Sequence, residues 1–136
     1  MELKSYVSDE TMKKEGVWVP FDGARFKIRS TDSPAYRRAV EAAAKKRNPA
    51  KVRKDIETQT ELGIEAIANG VLIDWEGLTD GGTPVECTPA NKIAVLTQAV
   101  ILRDFLATEA SDLANFQAEA IVEDADDFRE GDQVGS

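Results

Sequence analysis

The chain contains three pairs of residues that are typical of helix starts: Ser33-Pro34, Asn48-Pro49 and Thr88-Pro89. A Ser, Asn or Thr side chain before a helix can accept a hydrogen bond from a backbone amide of the first turn. Proline suits the next position, because its fixed backbone angle matches the helix and its missing N–H has no helical partner there. The three pairs therefore predict a mainly α-helical fold and divide it into successive helices.

The second of these helices is predicted to run from Pro49 to about Asn69, with Asn69-Gly70 as its C-terminal cap. Gly63 lies inside it, where a glycine costs about 1 kcal/mol relative to alanine. Close packing against another helix would explain why a glycine is used. We therefore expect another helix to approach the backbone near Gly63.

The segment after Thr88-Pro89 is apolar on more than one helical face between Val95 and Leu106. This breadth fits either one central helix or two short helices that meet near Gln98, and periodicity does not separate the two. Five apolar side chains exceed what one helix face needs for its own core, so they are candidates for a protein-binding surface; burial of all five is the alternative. They are Leu102, Phe105, Leu106, Leu113 and Phe116.

A β-hairpin is predicted at residues 16–29, where two runs of alternating residues flank Asp22-Gly23. Asp-Gly suits the positive φ angles of a tight two-residue turn. The apolar residues of the two runs share one face: Val17, Val19, Phe21, Phe26 and Ile28. Pro20 cannot donate a ladder hydrogen bond, which places its strand at a sheet edge. An isolated hairpin is marginal in water, so this one is expected to pack on the helices.

The stretch VLIDWEGLTDGGTPVECTPANK, at residues 71–92, places a tryptophan between two acids and then continues with glycines and prolines. Such a stretch fits either a binding loop or a structural corner between helices. The helix end expected at Asn69-Gly70 and the helix start at Thr88-Pro89 favour the corner, since the glycines between them allow a chain reversal. Trp75 is then interpreted as an anchor that fastens the corner onto the core.

Charge is distributed unevenly along the 136 residues, whose net charge is −8. Residues 1–60 carry 14 Lys or Arg against 9 Asp or Glu, a balance of +5, whereas residues 61–136 carry 3 against 16, a balance of −13. The basic half peaks in KKRNPAKVRK at residues 45–54. Such asymmetry favours contact with another charged macromolecule or head-to-tail self-association.

The composition divides the chain into three parts. Residues 1–13 are predicted to be a flexible N-terminus, residues 14–117 a single mostly helical domain, and residues 118–136 an acidic, disordered tail. The tail supplies charge that would keep a complex in solution, or it acts as an electrostatic plug on the basic surface at residues 45–54. Deleting it would then increase salt-sensitive association.

Catalytic motifs are largely missing from the sequence. The chain has no histidine, which excludes Ser-His-Asp and Cys-His catalysis, and neither GxxxxGK[ST] nor GxGxxG occurs. The acidic tail lacks the ligand spacing of a calcium loop. Cys87 is the only cysteine, so it can form no internal disulfide and no zinc site with other Cys or His side chains. We therefore expect no enzymatic activity, no cofactor and no metal.

Nucleic-acid and membrane partners are also disfavoured. The basic cluster could neutralise several phosphates, yet the net charge of −8 and the lack of aromatic residues among these cations argue against nucleic-acid binding. No apolar run approaches the roughly 18 to 20 residues of a membrane span, and the polar N-terminus does not look like a signal peptide. We expect a soluble, intracellular protein.

The order of these elements resembles that of the tail assembly chaperones of long-tailed bacteriophages. The resemblance rests on Trp75 before a Gly-rich acidic turn, on PVECTPANK with Thr88 and Asn91, and on the leucine-rich helix that follows as far as Phe116. The segment GVWVPFDGARFKIRSTDSPAYRRAV looks like the hairpin and first helix of the same family. The resemblance covers roughly residues 14–117, and we group Thr88 and Asn91 with Trp75 as structural anchor residues.

The resemblance implies a non-enzymatic role in virion assembly. Proteins of that family bind the long, hydrophobic tape measure protein, keep it soluble and help recruit tail tube subunits around it. Its members act in the host cell cytoplasm and are absent from the mature virion, and many are also made as a longer frameshifted product. Self-association is a further possibility. Two other functions stay open: a small structural tail or connector protein of the virion, and an acidic DNA-mimic inhibitor.

Overall fold

A computed structural model describes residues 16–114 of the chain. The described part begins with the predicted hairpin, formed by β1 (Val17–Phe21) and β2 (Ala24–Ile28). Asp22 and Gly23 join the strands with φ angles of 49° and 82°, as a tight Asp-Gly turn requires. β1 is the edge strand of the sheet, so Pro20 lies where the sequence predicted.

A third strand, β3 (Leu72–Glu76), pairs antiparallel with β2 and places Trp75 opposite Phe26. The hairpin therefore packs on a strand as well as on helices. This strand was not predicted, because its residues were interpreted as a corner between two helices. The fold is a helical domain with a small three-stranded sheet, and about 60% of it is helical.

The first helix, α1 (Pro34–Lys45), begins as predicted. The Ser33 hydroxyl accepts a hydrogen bond from the Tyr36 amide at 3.2 Å, and Pro34 occupies the first turn. Asn48 likewise caps the next helix, since its side-chain oxygen accepts from the Ala50 amide at 2.8 Å. Both cap–proline pairs thus fix helix starts.

The continuous helix predicted from Pro49 to about Asn69 is wrong. The structure has α2 (Pro49–Lys54) and α3 (Ile56–Ala66), separated by Asp55 in an extended conformation. The Asp55 carboxylate accepts hydrogen bonds from the Thr58 amide and hydroxyl, and these bonds lower the pKa of the carboxyl group. Asp55 therefore ends one helix and caps the next.

A wider π-helical turn, Ile67–Val71, follows α3 and leads directly into β3. Gly70 lies inside this turn, so the predicted C-terminal cap at Asn69-Gly70 is wrong. A side chain on Gly70 would place its Cβ 2.8 Å from the Tyr36 Cα atom and 2.9 Å from the Ala39 Cβ atom. The close backbone approach expected at Gly63 therefore occurs at Gly70, because no atom lies within 4 Å of the corresponding position on Gly63.

A short hairpin of β4 (Thr79–Asp80) and β5 (Thr83–Pro84) follows β3 and leads to α4 (Pro89–Gln98). Thr88 caps α4 by accepting a hydrogen bond from the Asn91 amide at 3.1 Å. Ala99 then breaks the helix with φ −94° and ψ 78°, and α5 occupies residues 100–114. The sequence leaves open either one central helix or two helices that meet near Gln98, and the structure has two helices.

The core lies between the inner face of the sheet and the helices that cover it. Its largest fully buried side chains include Phe26, Ile28, Val71, Leu72, Leu96 and Leu106. The predicted flexible N-terminus, the acidic tail and Phe116 lie outside the described residues. Within residues 16–114, no helix combines the length and apolar character that a membrane crossing requires.

Candidate functional site

A groove with both apolar and polar lining residues runs between the β4–β5 hairpin and the junction of α4 with α5. It consists of two depressions of about 300 Å³ each, which share Leu78, Thr79 and Ala99 as lining residues. We use "the groove" for this combined surface. Its apolar lining residues are Phe21, Ala24, Phe26, Leu78, Val85, Ala94, Val95, Ala99 and Leu102.

Trp75 holds one wall of the groove in place. Its side chain is only 6% exposed, and its indole N–H donates a 2.7 Å hydrogen bond to the Val85 carbonyl. The Val85 amide in turn donates to the Leu78 carbonyl at 3.0 Å, which closes the base of the β4–β5 hairpin. The Trp75 ring meets Phe26 edge-on, with centroids 6.4 Å apart. The buried indole thus attaches the hairpin wall to the sheet, and Leu78 and Val85 also pack against the core.

The start of α4 is fixed to the preceding segment by side-chain hydrogen bonds. The Asn91 amide group donates to the Glu86 carbonyl at 2.9 Å, and the Lys92 ammonium donates to the Leu72 carbonyl at 2.9 Å. Thr88 and Asn91 therefore act together, one accepting at the helix cap and the other bracing the residues before it. These contacts position the α4 side of the groove against β3.

Ala99, at the break between α4 and α5, lines both depressions of the groove. At the break, the Arg103 guanidinium donates a 3.0 Å hydrogen bond to the Leu96 carbonyl. Carbonyl groups at a helix end need such partners, because the helix itself no longer supplies donors. Val100 and Ile101 follow immediately and are 48% and 77% exposed. Two large apolar side chains at the start of α5 are therefore exposed to solvent.

The five side chains proposed from sequence as a protein-binding surface have different environments. Leu102 and Leu106 are buried, Phe105 and Leu113 are partly buried against the core, and Phe116 lies outside the described residues. Leu102 lines the groove, and Phe105 supports it because its ring lies 4.8 Å from that of Phe21. The sequence did not indicate Leu78 or Val85, since they flank strands of two residues, which are too short to show alternation. Val95 lies in the apolar helical segment but was not among the five candidates.

The basic cluster at residues 45–54 is not uniformly solvated. Arg47 is only 14% exposed, and its guanidinium donates to the Glu65 carboxylate and to the Ala43 carbonyl, each at 2.8 Å. A second carboxylate, that of Glu61, lies 3.9 Å from the Arg47 Nε atom. The hydrogen bond to Glu65 raises the pKa of Arg47, and the same bond lowers the pKa of Glu65. Arg47 therefore joins α1 to α3, unlike its exposed neighbours.

The described residues offer little for covalent or metal chemistry. Cys87 is half-buried, and burial raises the pKa of its thiol, which disfavours the nucleophilic thiolate. Asp74, next to Trp75, accepts a hydrogen bond from the Trp75 amide at 2.8 Å. Between residues 16 and 114, no cluster of three or more Cys, Asp or Glu side chains is arranged to hold a metal ion.

Comparison with known proteins places the chain in one family. Residues 31–127, more than half of the chain, match a family model described as YdaY prophage protein. No curated protein and no solved structure matches the chain. The matched range contains β3, the β4–β5 hairpin and α4, which together form most of the groove. The chain therefore belongs to the YdaY prophage protein family and is a prophage-derived protein.

Proposed function

We propose that this prophage protein is a non-enzymatic tail assembly chaperone. It binds the tape measure protein, keeps that protein soluble and helps recruit tail tube subunits around it. The observation that carries the proposal is the open groove with its row of apolar lining residues, together with the exposed Val100 and Ile101 at the start of α5. Membership in a prophage protein family supports a role in the phage life cycle, and the resemblance to tail assembly chaperones supplies the client.

The shape of the groove suits an amphipathic helix. A helical client presents apolar side chains at intervals of three and four residues along one stripe, and such a stripe binds in an elongated apolar depression. The two depressions adjoin at the shared residues Leu78 and Ala99, so each can take one side chain or a pair of neighbouring side chains of the client. A volume of about 300 Å³ in each is at the small end for ligand sites.

The polar rim of the groove limits what else can bind there. Thr79, Asp80, Asn91 and Gln98 line the same depression as the apolar side chains. Polar groups at the edge of an interface stay solvated while the centre is buried. Together with the net charge of −8, this rim keeps the chaperone and its bound client in solution.

Co-expression with the tape measure protein of the same prophage tests the proposal. The soluble fraction of the tape measure protein should rise with the wild-type chain and fall again with Ala94→Glu, which places a charge in the groove. Ala90→Glu is the matched control, because Ala90 is also exposed and lies one turn earlier on α4 outside the groove lining. Equal soluble fractions with both variants would contradict binding in the groove.

Protein mass spectrometry of purified particles separates the chaperone from its main alternative. A chaperone acts in the host cell cytoplasm and leaves before assembly ends, so its peptides should be missing from mature virions. A structural tail or connector protein would be present in a fixed ratio to the tail tube protein. Recovery at such a ratio would overturn the proposed role.

A further inference from the structure

A patch of exposed cations lies where α1 ends and α2 runs, and most of these cations form no ion pair within residues 16–114. We use "the basic patch" for Lys45, Lys46, Lys51, Arg53 and Lys54, all of which are exposed. Among residues 16–114, no carboxylate forms an ion pair with Lys45, Lys51, Arg53 or Lys54. The Lys46 ammonium lies 3.6 Å from Glu65, which is already the partner of Arg47. The patch therefore carries excess positive charge.

The chain contains a segment of complementary charge. Residues 119–132 hold seven Asp or Glu and one Arg. This acidic segment lies beyond the described residues, so only its charge is known, from the sequence. The described part of α5 ends at residue 114, five residues before the segment begins. The number of unbalanced acids is close to the number of cations in the basic patch.

The contacts of α5 show which end of α1 lies near the described end of the chain. The Thr31 amide donates a 3.3 Å hydrogen bond to the Ala110 carbonyl, so this part of α5 lies beside the start of α1. The basic patch is at the other end of α1, which has 12 residues and is therefore about 18 Å long. The ten residues from 115 to 124 span up to about 33 Å when extended. The four residues before the acidic segment span only about 13 Å, so the patch is within reach of the acids from about Asp124 onward rather than of the whole segment.

From this geometry we infer that the acidic segment at residues 119–132 docks on the basic patch of the same chain. A single exposed ion pair contributes little, but several pairs act together here. The short connection gives the segment an effective concentration in the millimolar range near the patch. Docking of this kind covers the cations that would otherwise attract nucleic-acid phosphates, and it does not depend on the proposed chaperone function.

The contact is electrostatic and should be sensitive to salt. The Debye length falls from about 30 Å at 0.01 M to about 3 Å at 1 M ionic strength. Attraction between the segment and the patch is therefore strong in dilute salt and screened in concentrated salt. The groove offers a contrast, because apolar contacts do not weaken when salt is added.

Paramagnetic relaxation in the full-length chain tests this inference. A spin label is placed within the acidic segment at Ala125→Cys, with Cys87→Ser to prevent labelling elsewhere. At an ionic strength of about 0.02 M, the amide signals of residues 45–54 should broaden, and the broadening should be lost at about 1 M. No broadening in dilute salt would overturn the inference.

Two variants of the labelled chain supply the charge control. Lys51→Gln with Lys54→Gln removes two charges from the basic patch and should abolish most of the broadening. Arg25→Gln with Lys27→Gln removes two charges from β2, outside the patch, and should leave the broadening unchanged. Equal broadening in both double variants would contradict docking on the patch.

Two other partners could occupy the basic patch, a second copy of the chain or a nucleic acid, and each gives a different result. Docking within one chain is independent of protein concentration, whereas docking on a second copy produces broadening that grows with concentration and disappears when labelled chain is diluted with unlabelled chain. A second experiment measures how tightly a short single-stranded DNA binds two full-length chains without a spin label. One is the wild type, and the other carries Glu123→Gln, Asp124→Asn, Asp126→Asn and Asp127→Asn. If the DNA binds both chains with equal affinity, the segment does not cover the patch. Either outcome would overturn the inference.

Discussion

The segments before and after β3 differ in how they meet the neighbouring helices. We call the segment before β3, with the helix it contacts, the closed flank, and the segment after β3, with the groove, the open flank. On one flank, the π-helical turn presses Gly70 against the backbone of α1 at Tyr36, so no space remains between them. On the other flank, Leu78, Val85 and Val95 surround a depression that nothing within residues 16–114 fills. The closed flank fixes the fold by contact between backbones, whereas the open flank leaves apolar side chains available. The comparison indicates which flank has space for the proposed client.

Removing Trp75 should have the largest effect, because this residue holds the wall of the open flank. Trp75→Ala removes a nearly buried ring and its hydrogen bond to Val85, and should lower the free energy of unfolding by about 3 to 5 kcal/mol. Chemical denaturation measures the loss. Full stability combined with loss of the client would show that Trp75 is a binding residue rather than an anchor.

Alanine substitutions at two glycines test the close approach at the closed flank, because they should change stability in opposite directions. Gly70→Ala places a methyl group against the α1 backbone and should destabilise the fold by about 1 to 3 kcal/mol. Gly63→Ala meets no atom within 4 Å on an existing helix and should stabilise it by up to about 1 kcal/mol. Thermal unfolding of both variants is sufficient, and equal shifts would contradict the close approach at Gly70.

A smaller effect on stability is expected from removing the Arg47–Glu65 pair, which joins α1 to α3. The hydrogen bond from Arg47 lowers the pKa of Glu65 from its usual value of 4.5. A lowered pKa means that the pair stabilises the fold above about pH 4.5, and that this stabilisation is lost as the pH falls through the folded-state pKa.

Glu65→Gln should therefore reduce the melting temperature near pH 7 and match the wild-type chain more closely near pH 3. Glu61→Gln is the control, because the Glu61 side chain is 68% exposed and lies 3.9 Å from Arg47. A difference between Glu65→Gln and the wild type that stays constant from pH 7 to pH 3 would contradict the assignment.

Local signals in the sequence predicted the parts of the fold that depend on neighbouring residues. Ser33, Asn48 and Thr88 cap helices because the atoms they bind are two or three residues away. Asp22-Gly23 sets its turn for the same reason. Asp55 is a cap of the same kind, but no proline follows it and good helix formers stand on both sides, so the break was missed.

The parts that depend on distant residues were not predictable from one sequence. β3 exists because it pairs with β2, more than forty residues earlier in the chain. The open groove combines Phe21 of the first hairpin with Leu78 after β3 and Ala99 between two helices. No periodicity links such positions, and of the four predicted binding residues within 16–114 only Leu102 lines the groove.

Chemical-shift mapping with a helical peptide from the tape measure protein tests the central claim, that the open flank is the client site, most directly. The amide signals of Leu78, Val85, Val95 and Ala99 should move, while those of Tyr36 and Ala39 on the closed flank stay in place. Ala94→Glu should weaken peptide binding by about tenfold, a loss of about 1.4 kcal/mol, with little change in stability. Ala90→Glu should bind as the wild type does. Shifts confined to the closed flank, or equal affinity in Ala94→Glu and the wild type, would contradict the account.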